Sequence, residues 1–221
     1  MTELFPGVHL VDGVDPSPDF TTHVFLLKNR GGGYTLVDTG VSGKDAAILA
    51  YLKSHAIAPA EVKHVLITHL HADHTGNLRR ILDVTKAKSY AHWIEAGFIA
   101  QRPAYDGPGS PPKEPVEIDV RFKDGDVFEM GEGLVAYHTP GHTPGHTSYF
   151  EPSRGLLFSG DLFFGIPELA LTLPDYTIHT GTAQISARRM ADLSPQALLT
   201  YHGGPFLKGS AEALRSLVRQ F

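Results

Sequence analysis

Four side chains able to ligate a metal stand within six positions of this chain: His69, His71, Asp73 and His74, in the run Thr68-His69-Leu70-His71-Ala72-Asp73-His74-Thr75-Gly76. Imidazole nitrogen suits zinc, iron or manganese, and carboxylate oxygen suits the harder ions. In an extended or turning segment alternate residues point the same way, so His69 and His71 can reach one cation. Asp73 and His74 lie a step further on and can reach a second. The competing reading is a polar loop whose histidines satisfy local backbone groups. One histidine in a loop is common, but the pattern H-x-H-x-D-H is not. More candidates follow: His142 and His146 in Thr139-Pro140-Gly141-His142-Thr143-Pro144-Gly145-His146-Thr147, Asp161 after Ser159-Gly160, and His202 between Tyr201 and Gly203. The chain has thirteen histidines and no cysteine, so disulfides, thiolate metal sites and a cysteine nucleophile are excluded.

Such residues need a rigid scaffold, and the flanking patterns supply one. Glu3 to Gly13 alternates apolar and polar positions and predicts an opening strand. Thr22 to Asn29, a turn at Gly31 to Gly33, and Tyr34 to Asp38 predict a hairpin. Lys44 to His55 predicts a helix with Ile48, Leu49 and Leu52 on one face. The strand His64 to Thr68 leads into the histidine run. Helices are expected over Asn77 to Asp83 and Trp93 to Gln101, with a strand over Lys88 to His92 between them. Arg102 to Pro115 is rich in proline and glycine and predicts a long loop of the kind that can serve as a lid. Glu117 to Phe122, Val127 to Glu129, Leu134 to His138, Thr147 to Glu151 and Gly155 to Phe158 predict a meander of strands. An irregular stretch, Gly165 to Gly181, precedes a helix over Ile185 to Leu193, a strand over Leu198 to Tyr201 and a closing helix over Ser210 to Arg219. This order predicts one α/β domain over 1–221, with two sheets covered by helices on their outer faces. The candidate ligands fall at strand ends, where a scaffold commonly presents a site.

A hydrophobic fraction of 42% and a charged fraction of 19% fit an ordinary globular protein. The net charge of −5 and the lack of a basic stretch exclude nucleic acid as an expected partner. No apolar run reaches about eighteen residues, so no membrane span is expected. The N-terminus lacks the pattern of a signal peptide, and the expectation is a cytoplasmic protein. The sequence leaves the oligomeric state open.

H-x-H-x-D-H at the end of a short strand resembles the signature of the metallo-β-lactamase superfamily, and the resemblance runs along most of the chain. Leu36-Val37-Asp38-Thr39-Gly40 is similar to its first motif, in which an aspartate supports the site from behind. The His142 segment is similar to the third, Ser159-Gly160-Asp161 to the fourth, and Tyr201-His202-Gly203-Gly204 to the fifth, where G-H-G is more usual. The resemblance implies a four-layer αββα sandwich with metals at one edge between the sheets. It implies two divalent ions, zinc first, with iron or manganese as alternatives. One would be held by His69, His71 and His142, and the other by Asp73, His74 and His202, with Asp161 bridging. Two such cations share a water or hydroxide and lower its pKa towards neutrality. Asp73 would also accept the proton of the attacking water. Asp38 and His146 would orient ligands rather than bind metal. His92, Phe163, Phe164, Tyr176 and His179 are candidates for the substrate pocket.

Departures from the pattern narrow the activity. Zinc β-lactamases usually carry cysteine or serine where this chain has Asp161. Glyoxalase II-like thioesterases share the ligands but differ after the fourth motif, where this chain reads Leu162-Phe163-Phe164-Gly165-Ile166-Pro167. What the resemblance implies is a metal-dependent hydrolase of an ester, lactone, thioester or phosphoester. Two alternatives stay open: an oxidoreductase similar to the persulfide dioxygenases, with one iron on His69, His142 and Asp161, and an inactive metal-binding module.

Overall fold

Val24, Phe25, Leu26 and Leu27 are four apolar residues in a row, and all are buried. Side chains of a strand alternate between its two faces, so such a run needs protein on both sides. The computed structural model, which describes residues 2–11, 22–165 and 168–221, provides it. Two sheets stack face to face, and helices cover the outer face of each, giving four layers, α-β-β-α. Phe25 and Leu27 enter the core between the sheets, with Leu134, Tyr149, Phe158, Leu199 and Tyr201 from the second sheet. Val24 and Leu26 enter an outer core with Ile48, Leu52, Leu78, Ile81, Ala96 and Ile99. The second sheet repeats the pattern: Leu157, Leu162, Phe163 and Leu198 pack outward against Ala183, Ala187, Met190, Leu214 and Leu217.

In the first sheet β1 (Thr2–Phe5), β2 (Val8–Val11), β3 (Val24–Lys28) and β4 (Tyr34–Val37) form an antiparallel meander. β5 (Val62–Leu66), β6 (Lys88–His92) and β7 (Val120–Phe122) then add in parallel to β4. Parallel strands require crossovers, made here by α1 (Asp45–Ser54), by α2 (Ala72–Thr75) with α3 (Leu78–Thr85), and by α4 (Trp93–Ile99). The second sheet orders β12-β11-β10-β9-β8, from β8 (Val127–Phe128), β9 (Leu134–His138), β10 (Thr147–Glu151), β11 (Leu156–Phe164) and β12 (Ala170–Leu171). β13 (Ala197–His202) pairs in parallel with β11. α5 (Thr180–Asp192) and α6 (Ser210–Val218) cover its outer face.

This topology places the chemistry. Parallel strands leave their C-terminal ends on one edge, so the segments after β4, β5 and β6 emerge together. The same holds for the ends of β9, β11 and β13 in the other sheet. The rule that ligands sit beyond the carboxyl ends of parallel strands thus points to this edge.

Several elements differ from the sequence expectation. The opening run, expected as one strand, turns at Pro6-Gly7 and forms the hairpin of β1 and β2. β11 runs to Phe164, well past Phe158, through two register shifts against β13. Gly160 takes φ +54° inside it, and a side chain there would meet His146 Nε2 at 2.5 Å. α5 starts at Thr180 rather than Ile185, because the His179 ring accepts the Thr182 N–H and caps it. α2, β12 and a 3-10 turn, Pro174–Tyr176, were not legible as elements. Asp12 and Gly13 of the opening run, and Ile166 and Pro167, lie outside the described residues. Among the described residues no helix is long and apolar enough to cross a membrane.

Phe25 meets Phe158 and Tyr201 edge to face, with ring centroids 5.5 and 5.1 Å away. Phe25→Ala should therefore lower the stability measured by urea unfolding by about 3–5 kcal/mol, whereas Val127→Ala, at an exposed site, should stay within about 0.5 kcal/mol. Equal effects would mean that the inter-sheet core is not the one described.

Candidate metal centre

The site begins with Asp38, just after β4. Its φ of +63° is unusual for a residue other than glycine, though aspartate tolerates it better than most. Its Oδ1 accepts the Thr68 N–H at 2.8 Å and its Oδ2 accepts the Thr68 hydroxyl at 2.7 Å. Oδ2 also lies 2.8 Å from His74 Nδ1. One buried carboxylate therefore fixes both ends of the histidine run. The Thr68 hydroxyl has spent its proton on Asp38, so at 3.0 Å it accepts from His69 Nδ1. His71 Nε2 lies 2.8 Å from the Pro108 carbonyl, which can only accept. These outer partners fix the tautomers and leave His69 Nε2 and His71 Nδ1 without protons in the neutral rings.

Those bare nitrogens converge. His71 Nδ1 lies 3.1 Å from His69 Nε2 and 3.0 Å from His142 Nε2. His142 comes from the loop between β9 and β10, and Thr172 Oγ1 stands 2.9 Å behind its Nδ1. Burial holds His69 and His142 well below the usual histidine range, so neither ring carries charge at neutral pH. Lone pairs aimed at one another repel unless a cation stands among them. His69, His71 and His142 form a group that could hold one metal ion.

Asp73, His74, Asp161 and His202 form a second such group. His74 Nε2 and Asp161 Oδ1, both buried, face each other as an ion pair at 3.1 Å. Burial alone would lower His74, but Asp161, Asp73 and Asp38 outweigh it and hold the ring well above its usual range. Burial likewise opposes charge on His202, yet Asp161 and Asp73 raise it to about 9. In a metal-free chain protons answer these carboxylates' demand for positive charge, and a divalent cation fits the same demand. Asp161 stands between the groups: its Oδ2 lies 3.1 Å from His202 Nε2, 3.5 Å from His142 Nε2 and 3.9 Å from His69 Nε2.

His146 lies behind this cluster. Its Nε2 accepts the Asp161 N–H at 3.0 Å and its Nδ1 faces Thr139, so neither nitrogen is left for a metal. The groups open into a cavity of 530 Å³, lined also by Phe164, which stacks on His202 at 4.9 Å, and by Tyr176. Three pocket candidates lie elsewhere. His92 stacks on His138 at 4.2 Å and packs against Gly145. Phe163 is buried in the outer core, and the next residue, Phe164, lines the cavity. The His179 ring caps α5.

Two features of the site were missed in the sequence. Glu95, fully buried in the first turn of α4, joins the two histidine segments: its Oε2 accepts Leu70 N–H at 2.7 Å, and its Oε1 accepts Gly145 N–H at 2.6 Å and the Thr143 hydroxyl at 2.9 Å. An acid in a first turn ordinarily answers the helix dipole, so nothing in the sequence singles it out. The loop 102–115 docks on the site, where Pro108 orients His71 and Ser110 accepts the Ala72 N–H at 2.8 Å. Gly109, with φ +79°, lets the backbone pass; a side chain there would meet His71 Nε2 at 2.4 Å.

Comparison with known proteins bears on the family and the fold. The family model described as the metallo-beta-lactamase superfamily matches residues 17–202. The chain is 28% identical over 223 residues to YobT of Bacillus subtilis (strain 168), covering 91% of each. It is 29% identical over 209 residues to YflN of the same organism, named a probable metallo-hydrolase, covering 81% of this chain and 78% of that protein. Among solved structures, a metallo-beta-lactamase family protein of Thermus thermophilus superposes with a TM-score of 0.76 at 24% identity, covering 99% of this chain and 79% of the other. That likeness shows the fold.

Glu95→Gln turns one acceptor oxygen into a donor that faces N–H groups, and should cost about 1–3 kcal/mol in the metal-free chain. Burial raises Glu95 from 4.5 to about 7, against the pull of Gly145, Thr143 and Leu70. Between those values the folded chain holds a proton that the unfolded chain has released, so this contribution is full at low pH and lost as pH rises through about 7. The stability advantage of wild type over Glu95→Gln should shrink across that window in denaturant titrations. An advantage that grows with pH would contradict the placement of Glu95.

Proposed function

The chain belongs to the metallo-beta-lactamase superfamily, and on that premise we propose that it is a binuclear metal-dependent hydrolase of an ester, lactone, thioester or phosphoester. The observation that carries the proposal is the Asp161 carboxylate, within 3.1–3.9 Å of ligand nitrogens from both groups. A carboxylate so placed suits a bridge between two ions. His69, His71 and His142 would hold one and Asp73, His74 and His202 the other. Imidazole and carboxylate donors without thiolate fit zinc, and also iron or manganese. Bound divalent cations lower the pKa of water towards neutrality and polarise the oxygen of the bond to be cleaved.

The chain's own residues supply the rest. Asp38, Thr68, Pro108 and Thr172 hold the imidazoles in register from behind. Asp73 is the carboxylate with an open side: its side chain keeps 36% of its surface exposed and lines the cavity. That exposure supports a role for Asp73 in accepting a proton from water. The cavity volume lies within the range of about 300–1,000 Å³ usual for small-molecule sites, which supports a small-molecule substrate. A single iron on His69, His142 and Asp161 is less well supported, because His71 Nδ1 lies as close to His142 as His69 does to His71. An inactive metal-binding module is less well supported, because loss of activity usually shows as a replaced ligand and all seven donors are intact.

Asp161→Ala should lose both ions and all turnover of activated esters, because a bridging ligand serves both. Full metal content and full turnover in that variant would contradict the bridge. Asp73→Asn should lose far more of kcat than of bound metal, and an unchanged kcat would remove Asp73 from proton transfer. At pH 7 His202, at about 9, is protonated and must give up its proton to bind a cation. Titration calorimetry of metal uptake, in buffers of different ionisation enthalpy, should therefore show proton release. No release would mean that the second group does not take the ion.

A further inference from the structure

The cavity has two unlike ends. Beside His142 and His202 the wall is apolar: Phe164 stacks on His202, and Tyr176 follows in the 3-10 turn tied to His142 through Ile178 N–H at 3.3 Å. At the other end, beside His71 and Asp73, the wall carries Ser42, Ser110 and Lys113 among Val41, Ala72 and Gly109. Lys113 is the only lysine or arginine among the described residues that line the cavity. Its ammonium makes no ion pair or hydrogen bond with the described residues, although it also borders an adjoining pocket with Asp45, Asp83 and Glu114, of which Asp45 is engaged by Arg80. The hydroxyls of Ser42 and Ser110 make no hydrogen bond to the described residues either.

An exposed lysine is ordinarily just a solvated charge. This one stands on a tethered backbone. Ser110 is held by Ala72 N–H at 2.8 Å, the Pro112 carbonyl by Gln101 Nε2 at 2.8 Å, and the Pro115 carbonyl by Arg79 Nη2 at 2.7 Å. Pro111 and Pro112 stiffen the segment before it. The loop that orients His71 therefore also brings one cation to a cavity wall that Ser42 and Ser110 share. We propose that Lys113, with Ser42 and Ser110, receives a carboxylate of the substrate, while Phe164 and Tyr176 receive an apolar group on the far side of the bond cleaved. The substrate class is then an acidic ester or thioester, a reading that rests on the hydrolase proposed above. A single ammonium with two hydroxyls matches a singly charged carboxylate. A phosphate more often draws arginine forks or several cations.

The test compares 4-nitrophenyl hydrogen glutarate with 4-nitrophenyl pentanoate, which replaces the carboxylate by a methyl group. The metal-loaded wild type should favour the acid by about tenfold in kcat/KM, carried in KM. Lys113→Ala should collapse that ratio towards one and Lys113→Arg should keep it. A merely structural loss would lower both rates and leave the ratio alone. Calorimetric binding of glutarate against pentanoate gives a readout without turnover, and the preference for glutarate should vanish in Lys113→Ala. No preference in the wild type, or an unchanged ratio in Lys113→Ala, overturns the anion subsite while the hydrolase stands. If neither ester is cleaved but glutarate still binds better through Lys113, the hydrolase reading fails and the subsite stands.

Discussion

The constraint on which this structure depends is the convergence of lone pairs in a dry place. His71 Nδ1 lies 3.1 Å from His69 Nε2 and 3.0 Å from His142 Nε2, and beside them His74 Nε2 lies 3.1 Å from Asp161 Oδ1. Buried polar atoms ordinarily find partners, and lone pairs turned on one another signal a role or an unseen ion. Left to itself such a cluster would turn its rings apart. It persists because each imidazole is gripped from the side away from the cluster. Asp38, Thr68, Pro108 and Thr172 do this, and His146 does the same for the backbone of Asp161.

The scaffold exists to bring those grips to one edge. Parallel pairing of β4, β5 and β6 sends Asp38, the histidine run and Glu95 out on the same side. In the facing sheet, β9, β11 and β13 deliver His142, Asp161 and His202 to that side too. Glu95 then joins the two halves of the first group, bonding Leu70 between His69 and His71, and Gly145 and Thr143 near His142. The loop 102–115 closes the remaining flank. Its role follows from one carbonyl: Pro108 decides which nitrogen of His71 is bare, so the loop shapes the site as well as covering it.

What was legible in the sequence had local signatures. Alternation and apolar runs marked most strands of the two sheets, and the fold class follows from their order. The site's residue types were legible because H-x-H-x-D-H and its companion motifs are compact. What was hidden depends on long-range contact. Glu95 reads as a helix-start acid, and its partners lie 25 to 50 positions away. Pro108 and Lys113 sit in a stretch whose composition says only that it is a loop. Phe163 and Phe164 cannot be told apart without knowing the register of β11, and one residue decides between core and cavity. His92 and His179 resemble site histidines by type, but their rings serve a stack and a helix cap.

The central claim is that the two groups are one centre for two ions, and its most direct test is the metal content of wild-type protein purified without added metal. Inductively coupled plasma mass spectrometry should find close to two divalent ions per chain, and removing them with a chelator and restoring zinc should return the same number. Close to one iron per chain, with no second ion taken up when zinc is offered, would contradict the account and favour a mononuclear centre on the same edge.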